Sequence, residues 1–402
     1  MADGHFLMLA APSGEHLAAP GASQPLELRS HCDDDCMWRR VPGQPFLRCL
    51  ASGLDLHAAA APGRPEALEL RLAGAPLAAD GRPAGDSAGP AATFAAVRGP
   101  RRRPSEYLAD LEAKGYTVLD SVLSSEAIAE VKRVAREVRE EKMAHRGLFD
   151  ERLSLPSLLH RSPAVARAVA SPVALYLMRT YLGQERLQYC HPPAVTILRP
   201  ARKLLEKPYN GGWHSDYPFP PTASALGHGS KEHFAKLDKA LTNAGLPSWK
   251  DRGTRLGVQF NICVSEFRKD NGATQFILGS HENTNPVPDA LNATVTRAGE
   301  GLHREAVQLE AEAGAALLYD SRMYHRACPE LNVCGEDRFA ILNSTCPSFV
   351  WPKHPGADAT SAHKAAVEDF LRSEIPKQLT PREVREVLAM VGEEPPAARA
   401  RL

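Results

Sequence analysis

The chain has no surplus of charge: 48 Lys and Arg are matched by 48 Asp and Glu, for a formal net charge of zero. Without a basic field there is nothing general to hold a phosphate backbone, which argues against nucleic acid as a partner. The triplet Arg101-Arg102-Arg103 is only a local patch and reads as solvated linker. No apolar run of about 18 residues or more occurs, so no stretch is expected to span a membrane. The segment Met1–Pro12 has an apolar centre, Phe6–Ala11, but no basic flank before it, and reads as a strand rather than a secretory leader. Cysteine is scarce as well. Eight in 402 residues do not make a disulfide scaffold, and a reducing, cytoplasmic setting is the expectation.

What is present centres on Gly211-Gly212-Trp213-His214-Ser215-Asp216-Tyr217-Pro218. On an extended strand side chains repeat with period two, so His214 and Asp216 point the same way. An imidazole and a carboxylate so placed can share one metal ion. A second imidazole would complete a 2-His-1-carboxylate set, which leaves positions on iron open for other ligands. His325, at the end of Leu317-Leu318-Tyr319-Asp320-Ser321-Arg322-Met323-Tyr324-His325, is the candidate. Thirteen residues later Arg338 opens the run Arg338-Phe339-Ala340-Ile341-Leu342-Asn343. Taken alone, a His-x-Asp in a chain with 15 His and 48 acidic residues is a weak signal, and a surface turn explains it as well.

Order and context add to it. The His-x-Asp is followed by the strand Leu256–Glu266, with Val258, Phe260 and Ile262 on one face and Gln259, Asn261 and Cys263 on the other. Then come the tight-turn pair Asn271-Gly272, a returning strand, Gly279-Ser280-His281, the late histidine and the later arginine. Upstream, Lys114-Gly115-Tyr116-Thr117-Val118-Leu119-Asp120 is a strand, and Ser124-Ser125-Glu126-Ala127 caps a helix reaching about Ala144. A second helical stretch covers Ala164–Leu182, and Gln188–Leu198 reads as a strand.

This pattern, over roughly residues 105–350, resembles the phytanoyl-CoA dioxygenase family of iron(II)/2-oxoglutarate oxygenases. The resemblance implies an α+β fold with a double-stranded β-helix (jelly-roll or cupin-like) core flanked by helices. It implies Fe(II), 2-oxoglutarate and O2 as the cofactor set, with His214, Asp216 and His325 as metal ligands and catalytic centre. Arg338 would pair with the far carboxylate of 2-oxoglutarate, with Asn261, Gln259 and Thr196 as further cosubstrate contacts. Trp213 and Tyr217 flank the triad as candidate substrate contacts, and His281 matches a structural turn histidine. His228, His233 and His303 read as surface residues. With Asp216 in the acidic position no site is left for halide, so hydroxylation or a related oxidation is favoured over halogenation. The substrate expected is a small or lipid-like molecule. An oxygenase acting on a protein side chain, and a catalytically silent binding protein of this fold, are the alternatives.

Outside the motif the chain splits by composition. Residues 1–80 carry a weak repeat of about forty residues, Ser13-Gly14 echoed by Ser52-Gly53 and Leu26–Arg29 by Leu68–Arg71. A disordered tail and a small β-rich, partly trefoil-like module are the two readings, and the repeat favours the module. Cys32 and Cys36, beside His31, lack the paired spacings of a zinc site and read as a polar turn with two thiols. Residues 81–104 read as a linker, 105–355 as the oxygenase domain with an insertion at 222–254 carrying a helix over Lys231–Asn243, and 356–402 as C-terminal helices. Nothing in the sequence bears on oligomeric state.

Overall fold

Short strands closed by glycine turns dominate the front of the chain. In the computed structural model the described residues are 5–21, 23–84, 91–146, 152–155, 157–200, 209–210, 213–216, 239, 242–243, 255–282, 294–295, 306–348 and 359–390. They fall into two units, one of Met1–Ala109 with Ala170–Leu177 and Lys377–Glu386, the other of Asp110–Val169, Met178–Pro376 and Val387–Leu402. Of the insertion at 222–254 only residues 239, 242 and 243 are described, so its expected helix lies almost wholly outside the described residues. Tyr217, His228, His233 and His303 also lie outside them.

Among its described residues the first unit has nine strands: β1 Leu7–Ala10, β2 His16–Ala18, β3 Glu27–Arg29, β4 Trp38–Arg40, β5 Phe46–Cys49, β6 Asp55–Ala61, β7 Arg64–Leu72, β8 Ala75–Pro76 and β9 Thr93–Arg98. Pairing runs β3-β2-β1-β4-β5-β6-β7-β8, and β9 pairs with both β1 and β7. The path β1-β4-β5-β6-β7-β9 therefore closes on itself, which leaves no open edge around the ring. Leu7, Leu9, Trp38, Leu47, Leu56, Leu68 and Phe94 fill it, and the Trp38 indole N–H donates to the Leu17 carbonyl at 3.1 Å. The repeated Ser-Gly pairs are turns, with Gly14 at φ +87° and Gly53 at φ +71°. Residues 93–98, expected as linker, are instead a strand of this sheet. Their alternation (Ala92, Phe94 and Ala96 toward the core) outweighs the surrounding Gly and Pro. Cys32 and Cys36 are fully buried free thiols at a short 3-10 turn whose cap is Asp33.

After α1 (Pro104–Lys114) come β10 (Tyr116–Leu119) and the helix α2 (Ser125–Arg146). Ser124 caps α2 through its Oγ, which accepts from the Ala127 N–H at 3.3 Å, and Val131, Val134, Ala135 and Val138 are its buried face. The helix expected over Ala164–Leu182 is two, α3 (Pro163–Val169) and α4 (Pro172–Leu182). Proline disfavours a helical residue before it and has no N–H to donate, so the break falls at Pro172. The C-terminal stretch holds α5 (Ala359–Arg372) and α6 (Pro381–Met390). At the start of α6 the Thr380 N–H donates to Glu383 at 2.8 Å and the Glu383 N–H to Thr380 Oγ1 at 3.3 Å, a capping box.

The remaining strands are β11 Arg152–Leu155, β12 Leu187–Leu198, β13 Tyr209–Asn210, β14 Val258–Cys263, β15 Gln275–Phe276, β16 Thr294–Val295, β17 Val307–Gln308, β18 Ala316–Asp320, β19 His325–Arg326 and β20 Arg338–Pro347. A six-stranded antiparallel sheet has the order β10-β18-β14-β20-β12-β11, and a three-stranded one has the order β17-β15-β19. An isolated bridge, His214 to His325, extends the smaller sheet by one segment. The architecture is thus mixed helix and sheet. All six residues of β14 are buried, so both of its faces are covered.

Gly115 ends α1 at φ +75°, its N–H bonded to the Leu111 carbonyl at 3.0 Å. A Cβ there would fall inside the His281 ring. The histidine expected as a structural turn residue is therefore packed directly on this glycine. Gly115→Ala is expected to cost about 1–3 kcal/mol, from left-handed strain plus displacement of His281. Chemical denaturation checks this, and an unchanged midpoint would contradict it.

Candidate metal centre

His214 and His325 reach each other through the backbone first. The His214 N–H donates to the His325 carbonyl at 3.1 Å and the His325 N–H to the His214 carbonyl at 2.9 Å, a hydrogen-bonded antiparallel pair. Their rings lie on one side, centroids 4.4 Å apart. Two residues on, the Asp216 N–H donates to the Ser321 carbonyl at 2.8 Å, which brings its carboxylate to the same side. One Asp216 oxygen is 3.2 Å from His325 Nε2 and the other 3.8 Å from His214 Nε2. One ligand atom from each of the three residues lies within 4.8 Å of the other two, and among the described residues this is the single such group of His, Cys, Asp or Glu.

The donor chemistry fits a cation. His325 Nδ1 is 3.0 Å from the Met323 carbonyl, which can only accept, so a ring proton sits on Nδ1 and Nε2 is the nitrogen that faces Asp216. Nε2 and the carboxylate oxygen lie 3.2 Å apart, close enough to share a metal ion or a proton. Two imidazoles and one carboxylate suit ferrous iron without saturating it. Tyr319 meets the His325 ring edge-on at 5.0 Å and Phe276 stacks on it at 5.9 Å, fixing its plane.

Residues that sequence reasoning passed over hold this geometry. The turn between β18 and β19 supplies both the Ser321 and Met323 carbonyls, and Asp320 pins it. The fully buried Asp320 carboxylate accepts from the Arg322 N–H at 2.8 Å, Arg322 Nη2 at 2.7 Å and the Tyr181 hydroxyl at 2.7 Å. Burial and the adjacent Asp320 charge push the Tyr181 phenol far above its usual range, keeping it a donor. The local run Asp-Ser-Arg was the one available signal, and it is too common to read alone.

The expected cosubstrate residues come to one face of the larger sheet. Register pairs Ala340 with both Thr196 and Cys263, so Thr196, Asn261, Gln259 and Arg338 share the face of Ala340. Arg338 is buried, its guanidinium 4.2 Å over the Phe267 ring. Phe267 belongs to the apolar cluster of Phe276 and Tyr319, the two rings that touch His325. Asn261 donates to the Tyr319 hydroxyl at 3.0 Å, while its carbonyl oxygen and Thr196 Oγ1 are buried without a hydrogen bond. Gln259 differs. Its amide nitrogen donates to Ser344 Oγ at 2.7 Å and Ser321 Oγ at 3.2 Å, so both of its protons are taken within the wall. Trp213, expected against substrate, is 2% exposed and packs with Ala306, Tyr324 and Ile277. Period two turns it away from its neighbour His214.

Two histidines and one aspartate, converging from two paired segments, could hold a single metal ion. Residues 111–334 match the phytanoyl-CoA dioxygenase (PhyH) family, and the chain belongs to it. It is thus of the non-haem iron, 2-oxoglutarate-dependent oxygenase type, whose cofactors are iron, 2-oxoglutarate and dioxygen. No curated protein is a match to the chain. Among solved structures, one similar to part of it is the non-haem alpha-ketoglutarate-dependent epimerase SnoN from nogalamycin biosynthesis, at 16% identity over 61% of this chain and 83% of that one, TM-score 0.39. Another is HygX from Streptomyces hygroscopicus with nickel and 2-oxoglutarate bound, at 16% identity over 61% and 88%, TM-score 0.40.

Proposed function

We propose that the protein is an iron(II)/2-oxoglutarate-dependent dioxygenase that hydroxylates or otherwise oxidises a small-molecule or lipid-like substrate, with succinate and CO2 as coproducts. The observation that carries this reading is the convergence of His214, Asp216 and His325 on one point from two segments more than a hundred residues apart. In this reading residues 105–355 form the catalytic domain, its two sheets being the faces of a double-stranded β-helix. Residues 1–80 are a separate β module, and 356–402 carry the C-terminal helices.

His214, Asp216 and His325 would hold the iron. The bound ion supplies the oxidising chemistry by which dioxygen oxidises substrate as the 2-oxo acid loses CO2. The chain's own residues do the rest. Met323 keeps the His325 proton on Nδ1, so that Nε2 stays a lone-pair donor. Arg338 gives the far carboxylate of 2-oxoglutarate a planar, permanently charged partner. Thr196 Oγ1 and the Asn261 carbonyl oxygen are buried polar atoms on that same face, placed to hydrogen-bond or hydrate the cosubstrate. The apolar wall of Phe267, Phe276 and Tyr319 keeps bulk water from the histidine. The purified protein is expected to convert 2-oxoglutarate to succinate in an iron-dependent manner, slowly alone and faster with a substrate from a metabolite panel. Absence of succinate under both conditions would contradict the proposal.

A further inference from the structure

The residue directly after the second histidine is an arginine with no route to solvent. Arg326 is 2% exposed. The bridge that pairs His214 with His325 also sets their strand neighbours, Trp213 and Arg326, side by side on the opposite face. The register of β15 with β19 places Gln275 against Arg326 and Phe276 against His325. The small sheet thus carries two parallel rows: His214, His325 and Phe276 on the metal side, and Trp213, Arg326 and Gln275 behind them.

Arg326 ties the rear row together. Its Nε donates to Gln275 Oε1 at 2.7 Å and its Nη2 to Glu330 Oε1 at 2.6 Å. Its guanidinium carbon is 5.7 Å from the centre of the Trp213 ring, within cation–π range. Glu330 is 1% exposed, so both charges of the pair are out of water. An ion pair this deep is not explained by stability, because well-packed apolar side chains commonly do as well or better in its place. What a planar fork does provide is direction: three partners fix the guanidinium plane, and with it the backbone of β19, against the strands on either side.

We propose that Arg326 is the positioning residue of the metal centre, bracing through Gln275, Glu330 and Trp213 the adjoining segments that present His214 and His325. The inference rests on reading those histidines as metal ligands. Arg326 touches neither metal nor substrate. It acts by holding two imidazoles at the spacing one ion needs, the part that outer partners of metal ligands play generally.

The test is nickel(II) titration of the full chain, followed by calorimetry, beside thermal melts of the metal-free proteins. The double variant Arg326→Met with Glu330→Leu removes the pair and leaves the space apolar. It is expected to melt close to wild type yet bind nickel about 10–100-fold more weakly, with Gln275→Met shifted in the same direction by less. Wild-type nickel affinity in a folded double variant would overturn the brace. So would failure of both the double variant and Gln275→Met to fold, since the residues would then serve the fold and not the site. His214→Ala separates the underlying reading. If wild type does not bind nickel, or His214→Ala binds it equally well, the ligand assignment fails before the brace is tested.

Discussion

Asp216→Ala is expected to abolish iron-dependent turnover and to weaken metal binding by more than the roughly 10–100-fold that loss of an outer partner costs. Among the described residues Asp216 is the one anionic donor of the centre, and its two oxygens face both imidazoles, at 3.2 and 3.8 Å. Without it two neutral nitrogens remain, a set that holds a hard divalent ion poorly. The fold should not follow the metal, because the Asp216 contact that shapes the chain is its backbone N–H to the Ser321 carbonyl, which alanine keeps. The variant should therefore melt close to wild type in chelator. Added metal should raise the wild-type midpoint and leave the variant where it was, since a ligand stabilises only the state that binds it. A variant that melts well below wild type in chelator would make Asp216 a folding residue instead.

Arg338→Ala should do the reverse. Iron binding survives, because none of the three ligands is touched, while 2-oxoglutarate affinity collapses. The guanidinium is buried over Phe267, so the carboxylate it serves would be left in a partly desolvated pocket without its charge-assisted partner. Such a loss is on the order of 2–5 kcal/mol, or tens- to thousands-fold in affinity. Arg338→Lys should recover only part of it, since an ammonium keeps the charge and loses the two-pronged geometry. Wild-type dependence of turnover on 2-oxoglutarate in Arg338→Ala would remove this residue from the cosubstrate site.

How much of this was legible in the sequence differs from element to element. His214 and Asp216 could be seen to point together because strand periodicity is local. His325 and Arg338 could be matched only through the ordered pattern of the family, since nothing near them says what they fold against. The strand at 93–98 was hidden by the glycines and prolines around it, although Phe94 and its neighbours alternate correctly. The single helix expected over 164–182 ignored Pro172, a strong local signal that the apolar composition overshadowed. Gln259 faces the inner wall as the alternation requires. Its engagement by Ser321 and Ser344, which lie 62 and 85 residues away, is a tertiary fact no local pattern carries. The same holds for Trp213, where period two alone shows that it faces away from His214 and only packing shows what it faces. Arg326 left no trace at all, because an arginine after a histidine is ordinarily a surface residue and its three partners come from three separate segments.

In the proposed enzyme one iron ion and one 2-oxo diacid meet between the histidine–aspartate centre and Arg338. The decisive measurement is anaerobic calorimetric titration of 2-oxoglutarate into the iron-loaded wild-type chain, with the same titration run on Asp216→Ala and Arg338→Ala. One 2-oxoglutarate per bound iron is expected in wild type. Asp216→Ala should lose both ligands, and Arg338→Ala should still take up iron but bind 2-oxoglutarate at least tens-fold more weakly. Equal 2-oxoglutarate binding in the presence and absence of iron, or in all three proteins, would contradict it.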